Sequence, residues 1–119
     1  MTVRKSNPPF LNGVPEMLIL QLIARRPMYG YELVQAIRSA SAEGLDFGEG
    51  CIYPILHRLE SQSLLKSSRE LVAGRNRVVY RVTAKGRAQL SETVASWRQV
   101  VESINHALQG GEPGRAALA

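Results

Sequence analysis

Seven lysines and arginines fall between residues 61 and 90, and Glu70 is the one acid among them. The sixty residues before this segment hold six basic and six acidic side chains, and those after it hold two basic and three acidic. The whole net charge of +5 therefore originates in one short stretch. Cations concentrated in this way make a surface for binding an anion, whereas a merely basic protein would spread them. The positive balance by itself admits nucleic acid, acidic lipid or an acidic protein as partner.

Other reactive side chains are sparse. Cys51 is the single cysteine, which excludes an intramolecular disulfide and a cysteine-built metal site within one chain. Its place near a helix N-terminus should lower the thiol pKa and makes it a candidate redox sensor. With no second cysteine to resolve a sulfenic acid, such a sensor needs an intermolecular or mixed disulfide. The plainer reading is a small residue filling a small space. His57 and His106 stand far apart in sequence with no acidic cluster near either, so no metal site is expected. Glu16, Glu32, Glu60, Glu92 and Glu102 read as solvated faces or i,i+4 partners, as for Glu102 with Arg98. A glycine-rich phosphate loop, a serine nucleophile motif and a His-x-x-x-His pair are all missing, so neither catalysis nor a cofactor is expected.

The elements that must carry these groups follow from periodicity. A chain of 119 residues, 45% hydrophobic and 21% charged, is sized and composed for one folded domain. No apolar run approaches the roughly 20 residues of a membrane span, and Met1-Thr2-Val3-Arg4-Lys5 leads into Pro8-Pro9 rather than a signal sequence. A cytoplasmic protein is expected. Residues 1–9 read as a flexible arm and residues 110–119, opening on Gly110-Gly111, as a disordered tail.

Between them, Pro15-Glu16 opens a helix that is apolar nearly all round and ends at Arg25-Arg26-Pro27. Tyr31, Val34, Ile37 and Ala40 mark a second helix, closed by Gly44 and the residues beyond. A third begins at Cys51-Ile52-Tyr53-Pro54, with proline in its first turn and Ile52, Ile55, Leu56 and Leu59 as its buried stripe.

The period then changes from helix to strand. Val78, Tyr80 and Val82 alternate with Arg77, Val79 and Arg81, with a partner strand expected within Leu65 to Val72 and a turn at Ala73-Gly74-Arg75-Asn76. Thr83 caps a last helix, in which Leu90, Val94, Trp97, Val101, Ile104 and Leu108 are spaced as an a/d heptad seam.

Three helices, a basic hairpin and a long seamed helix make a mainly α fold with a β-hairpin. The order is that of a winged helix-turn-helix over residues 10–83, followed by a dimerisation helix over 84–109. A helix fits the DNA major groove, and an arginine-bearing hairpin can lie along the backbone or enter the minor groove. Two-fold pairing then doubles a short site.

At Leu11-Asn12-Gly13, Tyr29-Gly30-Tyr31-Glu32-Leu33, the run from Gly50 to Glu60 and the run from Arg77 to Gly86, the chain closely resembles the PadR family of transcriptional regulators. The last helix has the length of members with a short C-terminus. The resemblance implies a homodimeric repressor that binds double-stranded DNA at an inverted repeat and is released by a small molecule or other signal. It implies that residues 51–62 form the recognition helix, with Tyr53, His57 and Arg58 as DNA contacts, and that Arg75 and Arg77 act from the wing. Lys66 joins this basic surface. The chain departs from the family at Cys51, where relatives commonly have serine or threonine. A thiol caps a helix and donates to phosphate poorly.

Trp97 sits mid-seam. It either packs in a dimer interface or, with its copy, sandwiches a planar hydrophobic ligand, as drug-responsive relatives suggest. The rival to DNA binding is a winged helix used as a protein-interaction module, since a fold alone does not fix function.

Overall fold

A computed structural model describes residues 13–110. The expected arm, the Leu11-Asn12 part of the first motif and the tail from residue 111 lie outside them. The order is α1 (Val14–Arg25), β1 (Met28–Tyr29), α2 (Gly30–Ala40), α3 (Glu49–Ser61), β2 (Leu65–Val72), β3 (Arg75–Val82) and α4 (Ala84–Leu108). This is a winged helix-turn-helix with a long C-terminal helix.

α1 is the centre of the core. It buries Val14, Met17, Ile19, Leu20, Leu22 and Ile23, so it packs on several sides, as its all-round apolar sequence requires. After Pro27 the chain forms β1, two residues that pair antiparallel with β3 through Met28↔Tyr80 and Tyr29↔Val79. So short a strand carries no readable period. The Glu32 carboxylate then accepts from the Tyr29 N–H at 3.4 Å and from Arg26 Nη1 at 2.6 Å, fixing the corner where α2 starts.

Two helices differ from the expectation. α2 ends at Ala40 because Ala42 and Glu43 are left-handed (φ 53° and 67°), and its buried residues are Gly30, Leu33, Val34 and Ile37; Tyr31 and Ala40 face outward. α3 starts at Glu49, two residues early, so Pro54 lies beyond the first turn and denies the Gly50 carbonyl its helical donor. Its stripe of Ile52, Ile55, Leu56 and Leu59 is buried as the period requires, and Phe47, in the preceding loop, is buried beside them.

The sheet order is β1-β3-β2. The β2–β3 turn is only Ala73-Gly74, both with positive φ (51° and 80°), while Arg75 and Asn76 already pair with Val72 and Leu71. Register puts Leu65, Ser67, Tyr80, Val82 and Met28 on the face toward the helices, and Lys66, Ser68, Glu70, Arg75, Arg77, Arg81 and Tyr29 on the outer face. Val79 also belongs to the outer face yet is buried, and Val78, on the inner face, is exposed where the hairpin runs past the helices.

The junction into α4 is tightly bonded. Ser63 takes a left-handed conformation (φ 64°) that ends α3, with the Leu64 N–H donating to the Leu59 carbonyl at 2.9 Å. Thr83 Oγ1 donates to the Ser63 carbonyl at 2.7 Å and accepts from the Gly86 N–H at 2.9 Å, as the expected helix cap. The Thr83 N–H donates to the Leu64 carbonyl at 3.1 Å, and Lys85 Nζ donates to the Gln62 carbonyl at 3.0 Å. Gly86 is required here because a Cβ would come within 2.2 Å of the Leu64 carbonyl oxygen and 2.9 Å of Val82 Cγ1.

Glycine-to-alanine replacement should therefore have opposite signs at two helical sites. Gly86→Ala forces α4 off the α3–β2 corner and should cost about 1–3 kcal/mol or more. Gly50→Ala, where a Cβ meets nothing within 4 Å, should stabilise by up to about 1 kcal/mol through helix propensity. Thermal or urea unfolding of the two variants measures both; similar effects would contradict the close approach at Gly86.

Candidate nucleic-acid interface

Opposite its buried stripe, α3 presents Gly50, Pro54, His57 and Ser61, all exposed. Two candidate contacts flank this ridge rather than crown it. The Tyr53 ring lies on the side toward α2 and the sheet, half-buried against the core, and a Cβ at Gly30 would fall 2.3 Å from it. The glycine of the Tyr-Gly-Tyr-Glu motif is thus the seat of Tyr53. Arg58 lies on the other flank, where its Nη2 donates to Glu16 Oε2 and ties α3 to α1.

Cys51 is exposed on the same flank, two turns from Arg58. Its thiol is pushed up from its ordinary pKa, first by partial burial and then by the charge of Glu16. This reverses the expected direction: desolvation and an adjacent carboxylate both disfavour the thiolate.

The hairpin sorts its cations by partner. Arg81 is paired with Glu70 and also donates to Ser68 Oγ at 3.3 Å. The hydrogen bond from Arg81, then that from Ser68, holds the Glu70 carboxyl below its usual range, and the same bond to Glu70 raises Arg81. Lys85 is bonded to the Gln62 carbonyl, and Arg87 Nη2 donates to the Ala24 carbonyl at 3.4 Å. Arg77 stacks its guanidinium 4.5 Å from the centroid of the Tyr29 ring, with its Nε buried and unbonded.

Lys66, Arg69 and Arg75 are exposed and form no ion pair among the described residues. Sequence reasoning does not single out Arg69, although it lies in the basic segment. It projects from the opposite face of β2 to Lys66, across from Val78.

At the other end of the fold, Ser67 Oγ donates to Glu60 Oε2 at 2.7 Å, so β2 is bonded to the C-terminal turn of α3. Burial, then the proximity of Glu60 and Tyr53, raises the Tyr80 hydroxyl. The exposed ridge and the unpaired wing cations are thereby held on one rigid frame.

Along α4, Leu90 is buried in the chain's own core and Val94 packs against it. The unpartnered part of the seam begins at Trp97, which is 40% exposed, and continues through half-buried Val101 to Ile104 and Leu108, which are 51% and 79% exposed. Val100, outside the seam, is also exposed. A shallow open groove runs beside Trp97, lined by Val101, Glu102, Asn105 and His106 among others.

Residues 19–92 match the transcriptional regulator PadR-like family. The chain is 36% identical over 103 residues to the transcriptional regulator Rv3488 of Mycobacterium tuberculosis, covering 87% of this chain and 90% of that one. Its fold is similar to the crystal structure of a PadR-like transcriptional regulator from Bacillus cereus, with a TM-score of 0.77, 35% identity and coverage of 87% and 99%. It is similar also to a PadR family transcriptional regulator from Eggerthella lenta, with a TM-score of 0.71, 32% identity and coverage of 83% and 85%. Sequence along most of both chains and fold agree: this chain belongs to the PadR-like family of transcriptional regulators.

Proposed function

We propose that the chain is a sequence-specific DNA-binding repressor that acts as a homodimer on an inverted repeat and is released by a small-molecule signal. The observation that carries this reading is the exposed α3 ridge of Gly50, Pro54, His57 and Ser61, flanked by a hairpin on which Lys66, Arg69 and Arg75 have no ion-pair partner among the described residues. The ridge is free of bulky apolar side chains that would seek a protein partner, and a helix of this kind fits the major groove. Wing cations supply sequence-independent attraction to phosphate. A protein-interaction module would not need that attraction to be steeply salt-dependent.

Arg75→Ala and Arg69→Ala should each weaken binding to all duplexes and reduce the salt slope by roughly 1 for each phosphate no longer neutralised. His57→Ala should instead cost specific binding by roughly 1–3 kcal/mol while sparing random DNA. Fluorescence anisotropy across a salt series separates the two signatures, and salt-independent wild-type binding would favour the protein-interaction reading.

Dimerisation is assigned to the outer part of α4, from Trp97 to Leu108, together with α1 of the partner subunit. Apolar side chains this exposed along one helix face require cover. Val101→Asp would bury an unpaired charge there and should give monomer with little operator affinity. Sedimentation that still shows a tight dimer would place the interface elsewhere.

The signal is assigned to Trp97. A planar hydrophobic ligand stacked on its ring would bury apolar area and change the angle between subunits, and with it the spacing of the two recognition helices. Such compounds should quench Trp97 fluorescence and release operator DNA, and Trp97→Ala should abolish release while leaving DNA binding nearly intact. Full inducibility of Trp97→Ala would send the signal by another route.

A further inference from the structure

Arg58 is the one lysine or arginine on α3, yet it is already engaged: Nη2 donates to Glu16 Oε2 across 42 residues of sequence. Its side chain is 46% accessible and that of Glu16 is 33% accessible. A pair this open to solvent contributes little to stability and can exchange partners at low cost. A carboxylate beside a guanidinium also presents the anion that the guanidinium would otherwise seek in a phosphate. Glu16 lies in the first turn of α1, on an element that packs against both α3 and α4, so its position is set by the core rather than by a loop.

We propose that Glu16 is an intramolecular competitor for the DNA backbone: its carboxylate holds Arg58 in place of a phosphate, and Arg58 transfers to DNA only where matched contacts along the ridge bring the duplex close enough. This rests on the DNA-binding reading above. On a mismatched duplex the exchange of one anion for another returns nothing, and Arg58 stays with Glu16. On a matched duplex the ridge contacts position the backbone against Arg58, and the exchange becomes favourable. The charge of Glu16 also acts on the Cys51 thiol, so its field covers two turns of this flank of the recognition helix. Glu16 thus keeps Arg58 out of non-specific contacts and lowers affinity for the matched duplex by the cost of breaking the pair.

The test uses the full chain and two probes, a random-sequence duplex and the duplex that the wild-type protein enriches from a random pool. Glu16→Gln should bind the random duplex about three- to tenfold more tightly at ~0.1 M salt, with a salt slope steeper by roughly 1. It should gain at least as much on the enriched duplex, where the wild-type protein must break the pair, so the ratio of the two affinities does not fall. In an Arg58→Gln background, Glu16→Gln should change random-duplex affinity less than about twofold. Glu16→Asp keeps the charge but withdraws it from Arg58, and should give a smaller gain of the same sign; it also serves if Glu16→Gln does not fold. An equal gain with and without Arg58 would reduce Glu16 to a long-range charge and overturn the proposal, as would unchanged affinity or a loss in Glu16→Asp. A wild-type protein that binds neither duplex in a salt-dependent manner would instead remove the DNA-binding reading itself.

Discussion

The arrangement of the whole molecule depends on the joint at which α4 is bonded to the end of α3. Thr83 and Lys85 direct their hydrogen bonds to the carbonyls of Gln62, Ser63 and Leu64, the three residues that follow α3, and Gly86 lets the two backbones touch. Carbonyls at a helix C-terminus have no intrahelical donors, so these bonds satisfy groups that would otherwise need water. One constraint does two tasks. It closes the chain reversal after α3 and fixes the direction in which α4 leaves. The exposed face of α4 and the ridge on α3 thus belong to elements that share a bonded corner.

Electrostatics is the second organising feature. The basic segment looks uniform in sequence, but the fold divides it into cations used internally and cations left to solvent. Arg81 answers Glu70, Lys85 and Arg87 answer backbone carbonyls, and Arg77 lies on Tyr29. Lys66, Arg69 and Arg75 remain. The stacking of Arg77 on Tyr29 also joins β3 to β1, which makes the hairpin part of a three-stranded sheet rather than an isolated ribbon.

Much of this is legible in the sequence, for identifiable reasons. The stripe of α3 is a strong period backed by burial and the Thr83 cap is a local side-chain signal; the alternation of β3 appears in its register, although Val79 is buried on the outer face and Val78 exposed on the inner one. The two-residue β1 is not legible, since its pairing with β3 is a tertiary fact without a period. The ends of α2 and α3 depart from expectation because Ala42 and Glu43 adopt a left-handed conformation that alanine and glutamate rarely signal, and because Pro54 sits past the first turn that proline usually marks. At the site, the charge of the segment is visible but its division is not, because the partners of Arg58 and Arg77 come from α1 and β1, far away in sequence. The direction of the Cys51 shift is hidden for the same reason: it depends on Glu16, a neighbour only in the folded chain.

The Ala73-Gly74 turn restricts how the wing can vary in length. With both turn residues at positive φ, the tip is a closed two-residue unit, and the strands beyond it are in strict register from Val72↔Arg75 back to Leu65↔Val82. A residue inserted in one strand alone has no partner and must bulge out. One residue added to each strand keeps the pairing but turns every side chain on the tip side to the opposite face, exchanging Arg75 and Arg77 with Asn76 and Val78. Insertions that preserve both the pairing and the outer basic face must therefore add two residues to each strand, moving the tip by about 7 Å. The length of this hairpin is quantised, and a lineage of such proteins can lengthen or shorten it only by compensated steps.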